Sequence, residues 1–428
     1  MLRRTLLTVS AILILTFPRI IPAGELPVAK PEDVGLSSEK LALVAPAMRK
    51  FVDDRKVAGA ITIVARRGKV VLFETVGQQN IAAEKPMARD TLFRIYSMSK
   101  PITSVAVMLL AQDGKLSLDD PIAKHLPEFA DVKVFASVKD GELQHESAQR
   151  PPTIRDLLRH TSGLTYGLFG NTEVDQRYRA ADVLRPESSL AEMTKKLGAM
   201  PLLHQPGTRF QYSVSTDVLG RVIEVASRRD FDDFLRERVF EPLDMRDTSF
   251  FVTKDKLERF AANYGSNLVG GLRVVDAPAT SPYRRDPGLH SGGGGLVSTA
   301  RDYIRFCQML LNQGELDGRR LLRAESVAAM TKNQLPDGAY PLDMNGKRPG
   351  VGFGLGFSVV VEQTPFSRQA RVGEFGWGGA ASTHFWVSPN DELAVVVLTQ
   401  LMPFSGQMEA AVKPLVYAAI LEDRGNQR

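Results

Sequence analysis

Cysteine is almost missing: Cys307 is the only one in 428 residues. A single thiol excludes an intramolecular disulfide and a thiolate metal cluster. Tyr303, Leu310 and Leu311 lie at helical spacing from it, so it reads as a small buried hydrophobe. Histidine is sparse too, and His125, His145, His160, His204, His290 and His384 show no His-Glu-x-x-His or comparable ligand spacing, so neither a metal nor any other cofactor is expected. No Gly-x-Ser-x-Gly occurs, which removes the nucleophile elbow of the α/β-hydrolases. The glycine run after Ser291 is not followed by Gly-Lys-Ser/Thr and fits no dinucleotide spacing, so it is read as a turn and not as a phosphate cradle.

Charge of one sign is also scarce. The net charge is +5, and Arg3, Arg4 and Arg19 supply three of those units. So small an excess argues against nucleic acid or an anionic membrane as partner. The apolar run over residues 6–17 is too short to span a bilayer. With Arg3 and Arg4 before it and small residues near Pro22-Ala23-Gly24 after it, the run reads as an export signal. Removal of residues 1–23 and a periplasmic or secreted location are therefore expected, without stable membrane insertion. Arg19, between run and cleavage site, leaves an uncleaved N-terminal anchor as the alternative.

What is present is ordinary globular composition, 43% hydrophobic and 24% charged, on a chain long enough for a large core or two lobes. An amphipathic helix is expected over about 38–53, then strands near 59–65 and 69–75 turning at Arg66-Arg67-Gly68-Lys69. The C-terminal part mirrors this, with strands near 353–361, 371–375, 380–387 and 392–399 and a helix over about 407–422. The middle carries helical patterns near 102–112, 153–159, 216–227, 231–240, 299–311 and 323–332. The economical architecture is α/β (α+β): one antiparallel sheet built from 24–96 together with 352–428, flanked by terminal helices, with a mainly helical domain over 97–351 inserted between. A cleft between the two lobes is the default site.

Ser97-Met98-Ser99-Lys100 is a Ser-x-x-Lys motif, which places a hydroxyl and an amine on one helical face. Alone it is weak, since Ser37-Ser38-Glu39-Lys40 also matches, and there the serines simply open a helix. Ser97 has a different setting, at the mouth of a helix apolar almost all round from Ile102 to Leu110, which must be buried. Such a serine receives the positive end of the helix dipole and unpaired N–H groups that suit a developing oxyanion.

The stretch from Phe93 to Pro101 resembles the nucleophile segment of class C β-lactamases and of the related family VIII carboxylesterases, within the serine β-lactamase-like superfamily. Three further segments agree in order: Arg159-His160-Thr161-Ser162-Gly163-Leu164, Pro206-Gly207-Thr208-Arg209-Phe210-Gln211-Tyr212-Ser213, and Gly293-Gly294-Gly295-Leu296-Val297-Ser298-Thr299. The resemblance implies a β-lactamase/transpeptidase-like fold and a catalytic trio of Ser97, Lys100 and Tyr212. It makes Tyr212 the proton shuttle, with Lys100 coupling hydroxyl and phenol, either charged and holding Tyr212 as phenolate or neutral and itself the base. A free tyrosine ionises near pH 10, so a tyrosine base needs a cation beside it. Val214 replaces the family's asparagine. Trp377-Gly378-Gly379 replaces its Lys-Thr-Gly, so Val214, Trp377, Gly378 and Gly379 are the expected substrate contacts. The N–H groups of Ser97 and Ala380 are the expected oxyanion hole.

The function implied is hydrolysis of short-acyl carboxylic esters, small-molecule substrates, through an acyl-Ser97 intermediate. A β-lactamase or D-alanyl-peptide hydrolase, an acyltransferase, and a non-turnover acyl-binding protein are the alternatives on the same residues. His160 is read as a structural residue closing a helix.

Overall fold

A computed structural model describes residues 24–267 and 270–421. The expected export signal lies outside them. Strands β1 (Gly59–Arg66) and β2 (Lys69–Asn80) form a hairpin whose two turn residues, Arg67 and Gly68, both have positive φ, the backbone twist that a two-residue hairpin loop favours. A short β3 (Lys85–Pro86) pairs with β2. The C-terminal part adds β4 (Val351–Phe353), β5 (Ser358–Val360), β6 (Phe375–Gly379), β7 (Thr383–Ser388) and β8 (Leu393–Thr399). Their order in one antiparallel sheet is β4-β5-β6-β7-β8-β1-β2-β3, so β1 and β8 meet at its centre, Ile63 opposite Val396.

Alternation along the strands explains the layering. Ile61, Ile63 and Ala65 of β1 and Ala394, Val396 and Leu398 of β8 face the main core, while Ala60 and Val64 and Val395 and Val397 face a second one. That second core is closed by two helices, α1 (Val44–Asp53) and α5 (Gln407–Ala418). On the other face lie the long helices of the middle segment: α2 (Ser99–Gln112), α3 (Ser215–Ser227) and α4 (Ala300–Leu311). Both faces of the sheet are covered, which is why β8 reads as a nearly unbroken apolar run. Among the described residues no helix is long and apolar enough to cross a membrane.

Several expected boundaries are corrected. The strand expected over 353–361 is two, because a turn ending in Gly356 at φ +98° separates β4 from β5. The strand expected over 371–375 begins only at Phe375, since Gly373 at φ +86° still turns the chain. The first amphipathic helix is broken into Ser38–Leu41 and α1. The expected end of the last helix at Glu422 lies outside the described residues. Helices Glu173–Ala180 and Leu190–Gly198 were not expected, although each opens with a capping box that the sequence displays, Thr172 with Asp175 and Ser189 with Glu192.

The second Ser-x-x-Lys match is a helix cap: Ser37 Oγ accepts the Lys40 N–H at 3.3 Å. Ser37→Ala should cost at most about 1 kcal/mol, read as a small loss of thermal stability, and leave turnover at the unmodified rate.

Candidate active site

Ser97 is held by the segment before it. Phe93–Arg94 pairs with Val297–Ser298, and the fully buried Arg94 anchors that strand with its guanidinium against the Asp276 carboxylate and the Ala261 carbonyl. Tyr96 then takes φ +42°, a region costly for a bulky side chain, and its hydroxyl is gripped by Asn263 Nδ2 at 3.0 Å. The turn Tyr96–Met98 carries Ser97 to the mouth of α2, every residue of which from Ser99 to Leu110 is buried.

One turn on, the buried Lys100 directs Nζ to three acceptors: the Gly293 carbonyl at 2.6 Å, the Tyr166 hydroxyl at 2.8 Å and Ser97 Oγ at 3.3 Å. An ammonium has three protons, and here each has a partner. The same Nζ stands 4.6 Å from the centroid of the Tyr212 ring. The structure therefore brings Ser97, Lys100 and Tyr212 together around one point. The phenol hydrogen-bonded to Lys100, however, is that of Tyr166.

Tyr166, Asp217 and Gly293 were missed in the sequence. Burial, reinforced by the nearby Asp217 and Tyr212, pushes the Tyr166 phenol well above its ordinary value, so it stays protonated. Asp217, fully buried in the first turn of α3, accepts the Ser291 hydroxyl at 2.5 Å and the Gly293 N–H at 3.0 Å. Burial raises its carboxyl and the Lys100 charge pulls it back only in part. A Cβ at Gly293 would lie 2.5 Å from Asp217 Oδ2 and 2.9 Å from the Tyr166 hydroxyl, so only glycine can offer its carbonyl to Lys100 there. The glycine run, read as a turn, thus also supplies a ligand to the lysine. Tyr166 was within reach of sequence reasoning, as an aromatic three residues beyond the Thr161-Ser162-Gly163 landmark. Asp217 was not, because an acid in a helix's first turn ordinarily complements the dipole.

Four rings pack on Tyr212, one of them Phe169 at 5.7 Å. His160 lies under its ring at a centroid distance of 5.0 Å, Tyr166 beside it at 5.4 Å and Trp377 at 5.6 Å, with Trp377 Nε1 donating a long hydrogen bond of 3.4 Å to its hydroxyl. Burial, and after it the Lys100 charge, push the His160 imidazolium well below the usual histidine range, so the ring is neutral. It follows the short helix Ile154–Leu158, as expected, and it also serves as the floor of Tyr212.

Asp156 anchors this floor: it receives two hydrogen bonds from Arg150, at 2.6 and 2.9 Å, and one from Thr161 at 2.9 Å. Burial alone would raise its carboxyl, but Arg150 and the Thr153 N–H outweigh that and bring it down to about 2. Because the folded value lies below the unfolded one, this stabilisation is complete above about pH 4 and is lost as pH falls through about 2. Asp156→Asn should cost about 2 kcal/mol at pH 7. The gap in Tm between the two proteins should narrow as the pH is lowered toward 2.

The expected substrate contacts fare differently. Ala380 borders the cavity beside Ser97. Gly379 lets β6 approach the nucleophile, since a Cβ there would sit 2.2 Å from the Ile95 carbonyl oxygen. Val214 is corrected: it is fully buried in the main core at the start of α3 and does not border the cavity. Trp377 is corrected too, being 6% exposed with its indole turned to Tyr212 and Phe353. Gly378 points the other way, toward His384 and Phe404 on the outer face of the sheet, because successive strand positions alternate.

Ser97, Tyr166, Tyr212 and Ala380 open onto a cavity of about 810 Å³. Leu168 and Phe169, both exposed, stand at its wall. Its charged lining residues, Glu187, Arg284, Arg285 and Asp286, all occupy exposed positions. Among the described residues no group of three or more His, Cys, Asp or Glu side chains is arranged to hold a metal.

Comparisons with known proteins show the family and the fold. A sequence model of the Beta-lactamase family matches residues 44–417. Protein Rv1367c of Mycobacterium tuberculosis is 37% identical over 365 residues, 83% of this chain and 89% of its own. Esterase EstB of Burkholderia gladioli is 32% identical over 385 residues, 85% of this chain and 92% of its own. The solved structure of EstCE1, described as a hydrolase with promiscuous acyltransferase activity, superposes with a TM-score of 0.74 at 26% identity, covering 89% of this chain and 99% of that one.

Proposed function

The chain belongs to the Beta-lactamase family, and from that premise we propose that it is a serine carboxylesterase acting on neutral short-acyl esters. The observation that carries the proposal is the Ser97 hydroxyl bonded to Lys100 at the base of a cavity whose charged side chains all sit at exposed positions. Ser97 Oγ attacks the acyl carbonyl and its proton passes to the Tyr212 oxygen, which accepts the Trp377 N–H and whose ring lies against the Lys100 ammonium. The carbonyl oxygen becomes an oxyanion between the N–H groups of Ser97 and Ala380. Tyr212 then protonates the departing alkoxide. In the second half it takes a proton from water, which attacks the acyl-serine, and returns that proton to Ser97. Tyr166, held protonated, fixes the Lys100 ammonium instead of acting as the base.

The preference for esters follows from charge. β-Lactams and D-alanyl peptides carry a carboxylate next to the scissile amide, and a site that recognises them supplies a cation for it. Here Lys100 is already saturated by Ser97, Tyr166 and Gly293, Trp377 puts an uncharged indole on β6, and the two arginines of the lining, Arg284 and Arg285, stand at exposed positions. A missing charged hydrogen bond of about 1.5–3 kcal/mol weakens recognition roughly ten- to 150-fold. A neutral ester needs no such bond. The test compares kcat/KM for p-nitrophenyl butyrate and nitrocefin, and the ester should be favoured by at least about tenfold. Preference for nitrocefin would place a carboxylate-binding cation in the site and make β-lactam hydrolysis the better reading. Export belongs to the same proposal and is supported by the basic and apolar character of residues 1–23.

A further inference from the structure

Two buried groups of opposite charge lie behind the nucleophile without touching. Lys100 on α2 has three acceptors, the Ser97 hydroxyl, the Tyr166 hydroxyl and the Gly293 carbonyl, and all three are uncharged. Asp217, in the first turn of α3, is 0% exposed and makes no ion pair among the described residues. An uncompensated charge in the interior is strongly destabilising, so the two need each other.

Gly293 joins them. Its N–H donates to Asp217 Oδ1 at 3.0 Å and its carbonyl accepts Lys100 Nζ at 2.6 Å, so a single residue without a side chain spans carboxylate and ammonium. The rest of the glycine run is fixed by other groups. Thr103 Oγ1 donates to the Gly292 carbonyl at 2.9 Å, Ser99 Oγ accepts the Leu296 N–H at 3.2 Å, and the Ser291 carbonyl accepts the Gly295 N–H at 2.8 Å. An uncharged acceptor in place of Asp217 would serve the Ser291 hydroxyl and the Gly293 N–H as well. The second carboxylate oxygen, Oδ2, is buried and has no donor. Neither the turn nor its hydrogen bonds therefore require a full negative charge at this position.

The charge acts on Lys100. Burial raises the Asp217 carboxyl, and the Lys100 ammonium is the strongest influence opposing it. Attraction between two charges is mutual, so Asp217 stabilises the ammonium to the same degree. The other titratable groups facing this pair are His160 and Tyr166, from the segment after the helix Ile154–Leu158, and Tyr212, just before α3. His160 is neutral and Tyr166 protonated, which leaves Asp217 as the negative charge among them.

We propose that Asp217 is a positioning residue for the nucleophile: through Gly293 it aims the Lys100 ammonium at Ser97, and its negative charge balances that ammonium inside the protein. Asp217 does not border the Ser97 cavity, so it reaches the reaction only through these neighbours. The proposal rests on the reading of Ser97, Lys100 and Tyr212 given above.

A negative charge raises the pKa of any ammonium or phenol beside it, so its removal moves their titrations to lower pH. The rate at which a p-nitrophenyl alkylphosphonate labels Ser97 is followed against pH, which reads the nucleophile whether or not an ester is turned over. Asp217→Asn keeps an oxygen for both donors and removes the charge, and its profile should lie at lower pH by at least about half a unit, with the circular dichroism spectrum retained. Asp217→Ala removes the acceptor as well, and its maximal labelling rate should fall at least about tenfold below that of Asp217→Asn. Ser291→Ala deletes a donor to the same carboxylate but keeps the charge, and its profile should not move. Should Asp217→Asn not fold, Asp217→Ser serves the same comparison. An unshifted profile in the folded charge-free variant would overturn the proposal, as would an equal shift in Ser291→Ala or equal maximal rates in the asparagine and alanine variants. Each of these results leaves the esterase reading standing. Absence of labelling in the unmodified protein would instead remove the nucleophile assignment and the proposal with it.

Discussion

Ser97→Ala is expected to lower turnover of p-nitrophenyl butyrate by at least about a thousandfold while the protein keeps its fold and thermal stability. The fold should persist because Oγ is only one of three Lys100 acceptors, and Gly293 and Tyr166 remain in place. Lys100→Ala should be comparably severe in turnover, since it removes the charge beside Tyr212 and the bonds that tie Ser97 to the glycine run. The two losses should not add in the double variant, because side chains that act as one unit fail together. Additive losses would mean that Lys100 acts independently of the nucleophile.

The second large effect separates two tyrosines that both approach Lys100. Tyr212→Phe removes the group assigned the proton transfers and should cost about a hundred- to ten-thousandfold in kcat. Tyr166→Phe removes one hydrogen bond to an ammonium and should cost about ten- to 150-fold, with Ser97 still open to acylation by serine-directed phosphonates. The physical ground is the environment of Tyr166: burial and the Asp217 carboxylate oppose its ionisation. If Tyr166→Phe proved the more damaging in kcat, the base would be Tyr166 and the roles of the two phenols would be exchanged.

The fold was legible where periodicity is strong and local. The β1–β2 hairpin declares itself by alternation and by Arg67-Gly68, and β8 by an apolar run that only a strand buried on both faces can tolerate. Boundaries near glycine were not legible, because whether Gly356 and Gly373 continue a strand or turn it depends on φ, which the sequence leaves free at glycine. At the site, spacing and the buried helix singled out Ser97 and Lys100, but the ordered landmarks of the resemblance were needed to prefer a nucleophile over a helix cap. Tyr212 needed the resemblance to other hydrolases. Trp377 does lie on the face of β6 that meets Tyr212, but it is buried behind that ring, which a sequence pattern does not show, and alternation puts its neighbour Gly378 on the opposite face. Tyr166, Asp217 and Gly293 come together only in three dimensions, from segments 51 and 76 residues apart, and no local pattern marks a glycine chosen because a carboxylate and a phenol lie against its Cα.

The central claim is a covalent acyl-enzyme on Ser97 that turns over. It is tested most directly by mass spectrometry of enzyme quenched with acid during steady hydrolysis of p-nitrophenyl butyrate, followed by peptide mapping. The account requires one butyryl group on the peptide containing Ser97, no such adduct in Ser97→Ala, and disappearance of the adduct once substrate is exhausted. Steady nitrophenol release with no adduct, or with the acyl group on another residue, would contradict it.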